Sequence, residues 1–317
     1  MIFGRIVIFC LFAVGCTSDM PKANLVHSSP AIVEVPATTR SAWTFGEAKG
    51  VKFVTPFWNI HTTIAVDSIV DSLPNFYADI LDHYATIFGE FPYPQKNIDV
   101  FIFADDTQWK QKLKQMLGAQ AEEWYSLGRG GLTVDGVGVL YHLDFRSRSR
   151  VTLRIAAHEG WHQYAESVFI DCLPTWLDEG IGTWMEGFRI RNGKVRFTPS
   201  SNWDRLTTLR KIIAANRLDT LEYLLESDPS GILSTGRTNL LGYYAQLWAF
   251  TSFIMEYNDG QHRTALRKIL LDALHGQLHT PTNSADWLLV FTDDPAEMEK
   301  EYRTWVIEYV RPGNSWR

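Results

Sequence analysis

Cysteine is scarce in this chain: Cys10, Cys16 and Cys172 are the three it has in 317 residues. Three cannot form a disulfide scaffold. Positive charge is in deficit. The chain has 30 Lys and Arg against 36 Asp and Glu, a formal net charge of −6, which argues against a dedicated nucleic-acid binder. The apolar run over residues 6–14 falls far short of the roughly 20 residues that cross a bilayer as a helix. No internal repeat is evident. Apolar material is plentiful by contrast: 45% of residues are hydrophobic and 12 are Trp. That is enough for a buried core and excludes disorder over most of the chain. The length allows one large domain or two of ordinary size.

The first residues read as an export signal. Arg5 precedes a short apolar region, and small residues follow it. The run closes with Ala13-Val14-Gly15-Cys16, which resembles the lipobox of bacterial lipoproteins. The resemblance implies cleavage before Cys16 and a lipid on that residue, so membrane attachment through Cys16. Thr17 follows, not the Asp-type signal of inner-membrane retention, so the resemblance implies sorting to the outer membrane; an outer-membrane or periplasmic place in the cell envelope is expected rather than the cytoplasm. Cys10 then leaves with residues 1–15, and Cys172 has no partner for a disulfide. Residues 16–48 contain Pro21, Pro30 and Pro36 among small polar residues and read as anchor and tether.

A single folded unit is expected over 49–317. Residues 52–54 and 60–64 read as strands. Residues 67–88 carry Ile69, Leu73, Phe76, Tyr77, Ile80, Tyr84 and Ile87 at helical spacing, with Gly89 as the stop. Residues 98–103 form a strand, 107–117 a polar helix, 128–131 a loop and 137–143 another strand. The remainder reads as mostly helical. Strands first and helices later predict an α+β fold.

The chemistry centres on His158-Glu159-Gly160-Trp161-His162, an H-E-x-x-H pattern. Residues i and i+4 share a helix face, so both imidazoles can meet one ion. Glu159 sits about 100° round the helix, beside the ion but off it. With 9 His and 16 Glu in the chain, shuffling would produce the pattern with a probability of about 0.01. Val151, Leu153, Ile155, Ala156 and Ala157 predict a buried helix, where two His and a Glu are costly unless something satisfies them.

A zinc site needs a third protein ligand. Glu166 lies about 12 Å along the helix axis from His158 and is disfavoured. Asp171 and Asp178 are candidates, but Glu179 is stronger. It follows Pro174, which marks a new helix able to approach from another direction. Glu186, seven residues on, is the fallback ligand. Ala165 and Val168 stand where metzincins need Gly and His. With Trp176-Leu177-Asp178-Glu179-Gly180, the sequence resembles the gluzincin zinc metallopeptidases, the superfamily of thermolysin and aminopeptidase N. The resemblance implies a zincin-like fold: a mixed β-sheet subdomain carrying the metal helix, then a mainly helical subdomain. It implies one Zn²⁺ ion on His158, His162 and Glu179, with Glu159 as general base on a metal-activated water.

The aminopeptidase branch also uses a Tyr at the start of a later helix to stabilise the tetrahedral intermediate. Tyr244 aligns best, with Tyr243 as its competitor. The Gly-x-Met-Glu-Asn motif of aminopeptidases is missing. The strand taken as its equivalent, residues 136–141, has no Glu; the resemblance implies that it is the edge strand that pairs with extended substrate, and Gly136 and Gly138 would allow close approach. Asp178 is expected to orient a metal-bound His, and Cys172 to be a buried thiol. His61 reads as structural, His142 as a surface residue, and Arg146, Arg148 and Arg150 as a solvated edge. The expected function is zinc-dependent hydrolysis of peptides in the cell envelope. The rival reading is a non-catalytic, metal-containing envelope binding protein, which would have no need of Glu159.

Overall fold

The computed structural model describes residues 37–125, 130–143, 150–229, 231–232 and 236–311. The signal region, Cys16 and residues 32–35 lie outside these. The fold is α+β. A six-stranded mixed sheet runs in the order β1-β2-β3-β4-β6-β5. Its strands are β1 (Thr39–Phe45), β2 (Ala48–Val54), β3 (Trp58–Thr62), β4 (Ile98–Phe103), β5 (Gly131–Val134) and β6 (Val137–Tyr141). The first three pair antiparallel, β3–β4 and β4–β6 parallel, and β5–β6 antiparallel.

The two faces of the sheet bury different partners. Ile60, Val100 and Ile102 alternate toward one face and meet two helices there. These are α2 (Leu73–Thr86), after the single-turn α1 (Asp67–Val70), and α5 (Arg150–Val168). Phe103, Leu132 and Val139 face the other way, against Trp109 and Leu113 of α3 (Asp106–Leu117) and Trp124 of α4 (Ala121–Trp124). The alternation follows from the period of two along a strand.

Beyond α5 come α6 (Thr175–Met185), a hairpin of β7 (Phe188–Arg191) and β8 (Lys194–Phe197), α7 (Trp203–Ala214) and α8 (Leu221–Glu226). Then follow α9 (Arg237–Glu256), α10 (Arg263–Leu274) and α11 (Pro295–Tyr309). One contiguous apolar cluster reaches from Phe53 of β2 to Tyr309 of α11, so sheet and helices share a core.

Several sequence expectations need correction. The tether does not extend to residue 48, because Thr39–Phe45 is already a strand paired along its whole length with β2. The helix over 67–88 is broken. Pro74 opens α2, and its ring would clash with the carbonyl of Val70, where α1 ends. The loop over 128–131 gives way at Gly131 to β5. The region after the metal helix is mostly helical as expected, with one hairpin besides, in which Asn192 and Gly193, both at positive φ, turn β7 into β8.

Candidate metal centre

Leu153, Ala156, Ala157, Trp161 and Tyr164 bury α5 between the sheet and α6. The helix thereby carries His158, Glu159 and His162 into the interior, all less than 9% exposed. Pro174, in extended conformation, starts α6 and brings Glu179 across from a second direction. One ligand atom each from His158, His162 and Glu179 lies within 4.8 Å of the others. Glu179 Oε2 is 3.3 Å from His158 Nε2 and 3.8 Å from His162 Nε2. Ligands of a tetrahedral zinc ion stand about 3.4 Å apart, so the spacing fits. His162 Nε2 is buried without a hydrogen-bond partner, as a nitrogen meant for a cation would be. No helix among the described residues is long and apolar enough to cross a membrane.

Each imidazole is held from behind. His162 Nδ1 lies 2.8 Å from Asp178 Oδ2, and Trp161 Nε1 donates to Asp178 Oδ1 at 2.8 Å. His158 Nδ1 lies 3.1 Å from Glu186 Oε1. An ionised carboxylate only accepts, so both Nδ1 atoms carry the proton and both Nε2 atoms turn toward Glu179. Asp178 and Glu186 therefore stand behind the two imidazoles, on the side away from Glu179. Gly182 makes room for this packing: a Cβ there would stand 3.2 Å from the His158 ring.

The electrostatics favour a cation. Burial opposes charge on His158, but hydrogen bonds to Glu179 and Glu186 and their charges outweigh it and push it up to about 10. Burial likewise opposes charge on His162, and Asp178 raises it. Burial raises Glu159, with the two histidines and the Thr133 hydrogen bond acting against it.

Glu159 is held on its far side by the sheet. Thr133 Oγ1 donates to Glu159 Oε2 at 2.8 Å. One turn on, Gln163 Nε2 donates to Gly136 O at 2.9 Å, and Glu166 Oε2 accepts from Gly136 N at 2.9 Å. Residues 159, 163 and 166 share a helix face. They lock the β5–β6 hairpin to α5, and Glu166 is spent on this contact. Here too the expectation needs correction: β6 is internal, and β5 ends the sheet. The Asp135-Gly136 turn closes the pair Val134↔Val137. By alternation, Gly131 and Thr133 direct their backbone N–H and C=O away from β6.

Tyr243 and Tyr244 separate clearly. Tyr243 is buried, and its hydroxyl donates to Ser227 O at 3.0 Å and Leu224 O at 3.3 Å. Tyr244 is half-buried, its ring edge-on to His158 at 6.3 Å. The Arg205 guanidinium lies 5.3 Å from the Tyr244 ring centre. Asp171 instead accepts from Leu278 N, away from the ligand atoms. Cys172 is exposed, not buried, because it sits in the surface connection between α5 and α6. His61 is buried and stacked on Phe101, and His142 contacts Thr152 Oγ1. Arg146, Arg148 and the side chain of Arg150 lie outside the described residues. Thr133 and Arg205 were missed. The Asp-Gly turn beside Thr133 was a readable signal, whereas nothing in the sequence marked Arg205.

No family model matches the chain, and neither a curated protein nor a solved structure matches it.

Proposed function

We propose that this chain is a zinc-dependent peptidase of gluzincin type on a zincin-like fold. The observation that carries the reading is the convergence of His158, His162 and Glu179 within 4.8 Å, with Glu159 on the adjoining helix position. A two-histidine, one-carboxylate set suits zinc with an open position for chemistry. When bound, the ion supplies Lewis acidity, activating water and polarising a carbonyl.

The chain's own residues do the rest. Glu159 takes a proton at its carboxylate from the attacking water and returns one to the leaving amine. Its raised proton affinity, caused by burial, suits that exchange. Thr133 holds Oε2 so that the other oxygen can serve. Tyr244, beside His158, offers a hydroxyl to the developing oxyanion. The outward backbone groups of Gly131 and Thr133 suit an extended polypeptide laid along β5. Neither β5 nor β6 carries an acid to hold a substrate's N-terminal amine, unlike aminopeptidases. Export and attachment through a lipid on Cys16 belong to the same proposal and rest on residues 1–17 alone.

The test is cleavage of a peptide library by purified chain. Wild type should cut it, and Glu159→Gln should keep the metal and the fold but not cut. A wild type that leaves the whole library intact while holding zinc would favour the binding-protein reading. For the anchor, Cys16→Ser should abolish fatty-acid labelling; labelling that persists refutes it.

A further inference from the structure

We infer that Arg205 is a positioning residue that ties one metal-ligand support to Tyr244, so that a single side chain sets the orientation of both. The inference rests on the metal reading above and adds to it.

The construction begins at Asn202. Its Oδ1 accepts from Arg205 N at 3.5 Å, capping α7. Its Nδ2 donates to Thr183 O at 3.2 Å and to Glu186 Oε2 at 2.9 Å. The first turn of α7 is thereby fixed to the end of α6. From that turn Arg205 reaches back to Glu186, with Nε on Oε2 at 3.0 Å and Nη2 on Oε1 at 2.6 Å. Two parallel bonds from a planar fork fix the plane of the carboxylate as well as its place. The same Oε1 accepts from His158 Nδ1 at 3.1 Å. A chain of contacts therefore runs from the start of α7 to the imidazole that presents Nε2. Both charges are largely enclosed, the side chains being 15% and 11% exposed. Removing the guanidinium would leave a buried carboxylate partly uncompensated and free to turn.

Arg205 also lies against Tyr244, 5.3 Å from guanidinium carbon to ring centre. On the His162 side, Asp178 is braced by the neutral Trp161 indole instead of a guanidinium. The two imidazoles are thus supported differently, and the guanidinium that holds the His158 support also lies against Tyr244.

The experiment uses the purified full chain and five variants: Arg205→Met, Arg205→Lys, Glu186→Gln, Tyr244→Phe and the double Arg205→Met/Glu186→Gln. Readouts are the zinc dissociation constant by chelator competition, the visible spectrum of the cobalt-loaded protein, and kcat. Arg205→Met should weaken zinc binding by about 10–100-fold and alter the cobalt spectrum. Tyr244→Phe should lower kcat and leave zinc affinity at the wild-type value. Adding Arg205→Met to Glu186→Gln should weaken zinc binding little further, because the effect passes through Glu186. Arg205→Lys keeps the charge but loses the fork, and should fall between wild type and Met. It also serves if the Met variant fails to fold. A folded Arg205→Met or Arg205→Lys with wild-type zinc affinity and cobalt spectrum overturns the inference, as does full additivity with Glu186→Gln. If wild type itself holds no stoichiometric metal, the metal reading falls and takes this with it. A metal-binding wild type with an unaffected Arg205 variant sinks this inference alone.

Discussion

Adding one methyl group at Gly131 should disable catalysis while sparing the metal. A Cβ there would lie 2.4 Å from Ile155 Cγ2, 2.9 Å from Glu159 Cγ and 3.1 Å from Glu159 Oε1. Carbon atoms in contact sit about 3.5–4.0 Å apart, so the methyl is roughly 1 Å too close to Ile155 and more than half an ångström too close to Glu159. Gly131 is not among the glycines at positive φ, so an alanine backbone fits and the cost is purely steric. Either β5 retreats, stretching the bond from Thr133, or Ile155 and Glu159 swing off their positions. Overpacking of this kind costs about 1–3 kcal/mol of stability. A shift of about 1 Å in a catalytic group costs about 100-fold in rate. Gly131→Ala should therefore lower kcat/KM about 100-fold and lower the melting temperature, with zinc content unchanged. Steady-state cleavage of a peptide from the library, metal analysis and a thermal melt read all three. Ile155→Ala in the same chain removes the nearest clash and should restore part of the rate. A Gly131→Ala protein at full rate would refute the reasoning. So would one that loses zinc in step with activity, since the methyl touches no ligand.

Three further outcomes follow from the geometry. Thr133→Val keeps the shape but removes the bond to Glu159 Oε2; it should slow turnover by about tenfold with zinc retained, and an unchanged kcat would deny Thr133 that role. Asp178→Ala leaves His162 Nδ1 and Trp161 Nε1 without their acceptor, and zinc affinity should drop by about 10–100-fold in chelator competition; equal affinity would contradict it. Burial pushes Glu256 up to about 7, against the pull of Tyr309 and Arg263. Between pH 4.5 and 7 the folded chain then keeps a proton there that the unfolded chain has lost. Glu256 should thus lower stability as pH rises through that window, on the order of 3 kcal/mol in total. Urea denaturation at about pH 5 and about pH 8 should show Glu256→Gln gaining on wild type at the higher pH; parallel behaviour would contradict it.

Much of the fold was legible where a short-range rule decides it. Strand β4 begins and ends where the run Ile98 to Phe103 does, because alternation and burial on both faces leave no other choice. The helix of His158 and His162 followed from the apolar stretch Val151 to Ala157 before it and from the i, i+4 spacing of the two His, and the approach of Glu179 from Pro174. Two hairpins were readable and not read: Asp135-Gly136 and Asn192-Gly193 each supply the two positive-φ residues of a tight turn. Missing the first misplaced the sheet's edge by one strand. Strand β1 was hidden by its surface character, since Thr39 to Ala42 are all exposed and show no alternation. Glu186 and Asp178 could not be separated from ligands by spacing, because that distinction lies in which ring nitrogen each faces. Arg205 carried no signal at all; its place depends on how α7 folds back onto α6.

The central claim is tested most directly by counting metal in the purified chain by native mass spectrometry. One zinc ion per chain is predicted, kept in Glu159→Gln and lost in His162→Ala and Glu179→Ala. A wild type without stoichiometric metal, or a His162→Ala protein that keeps its zinc, would contradict the account.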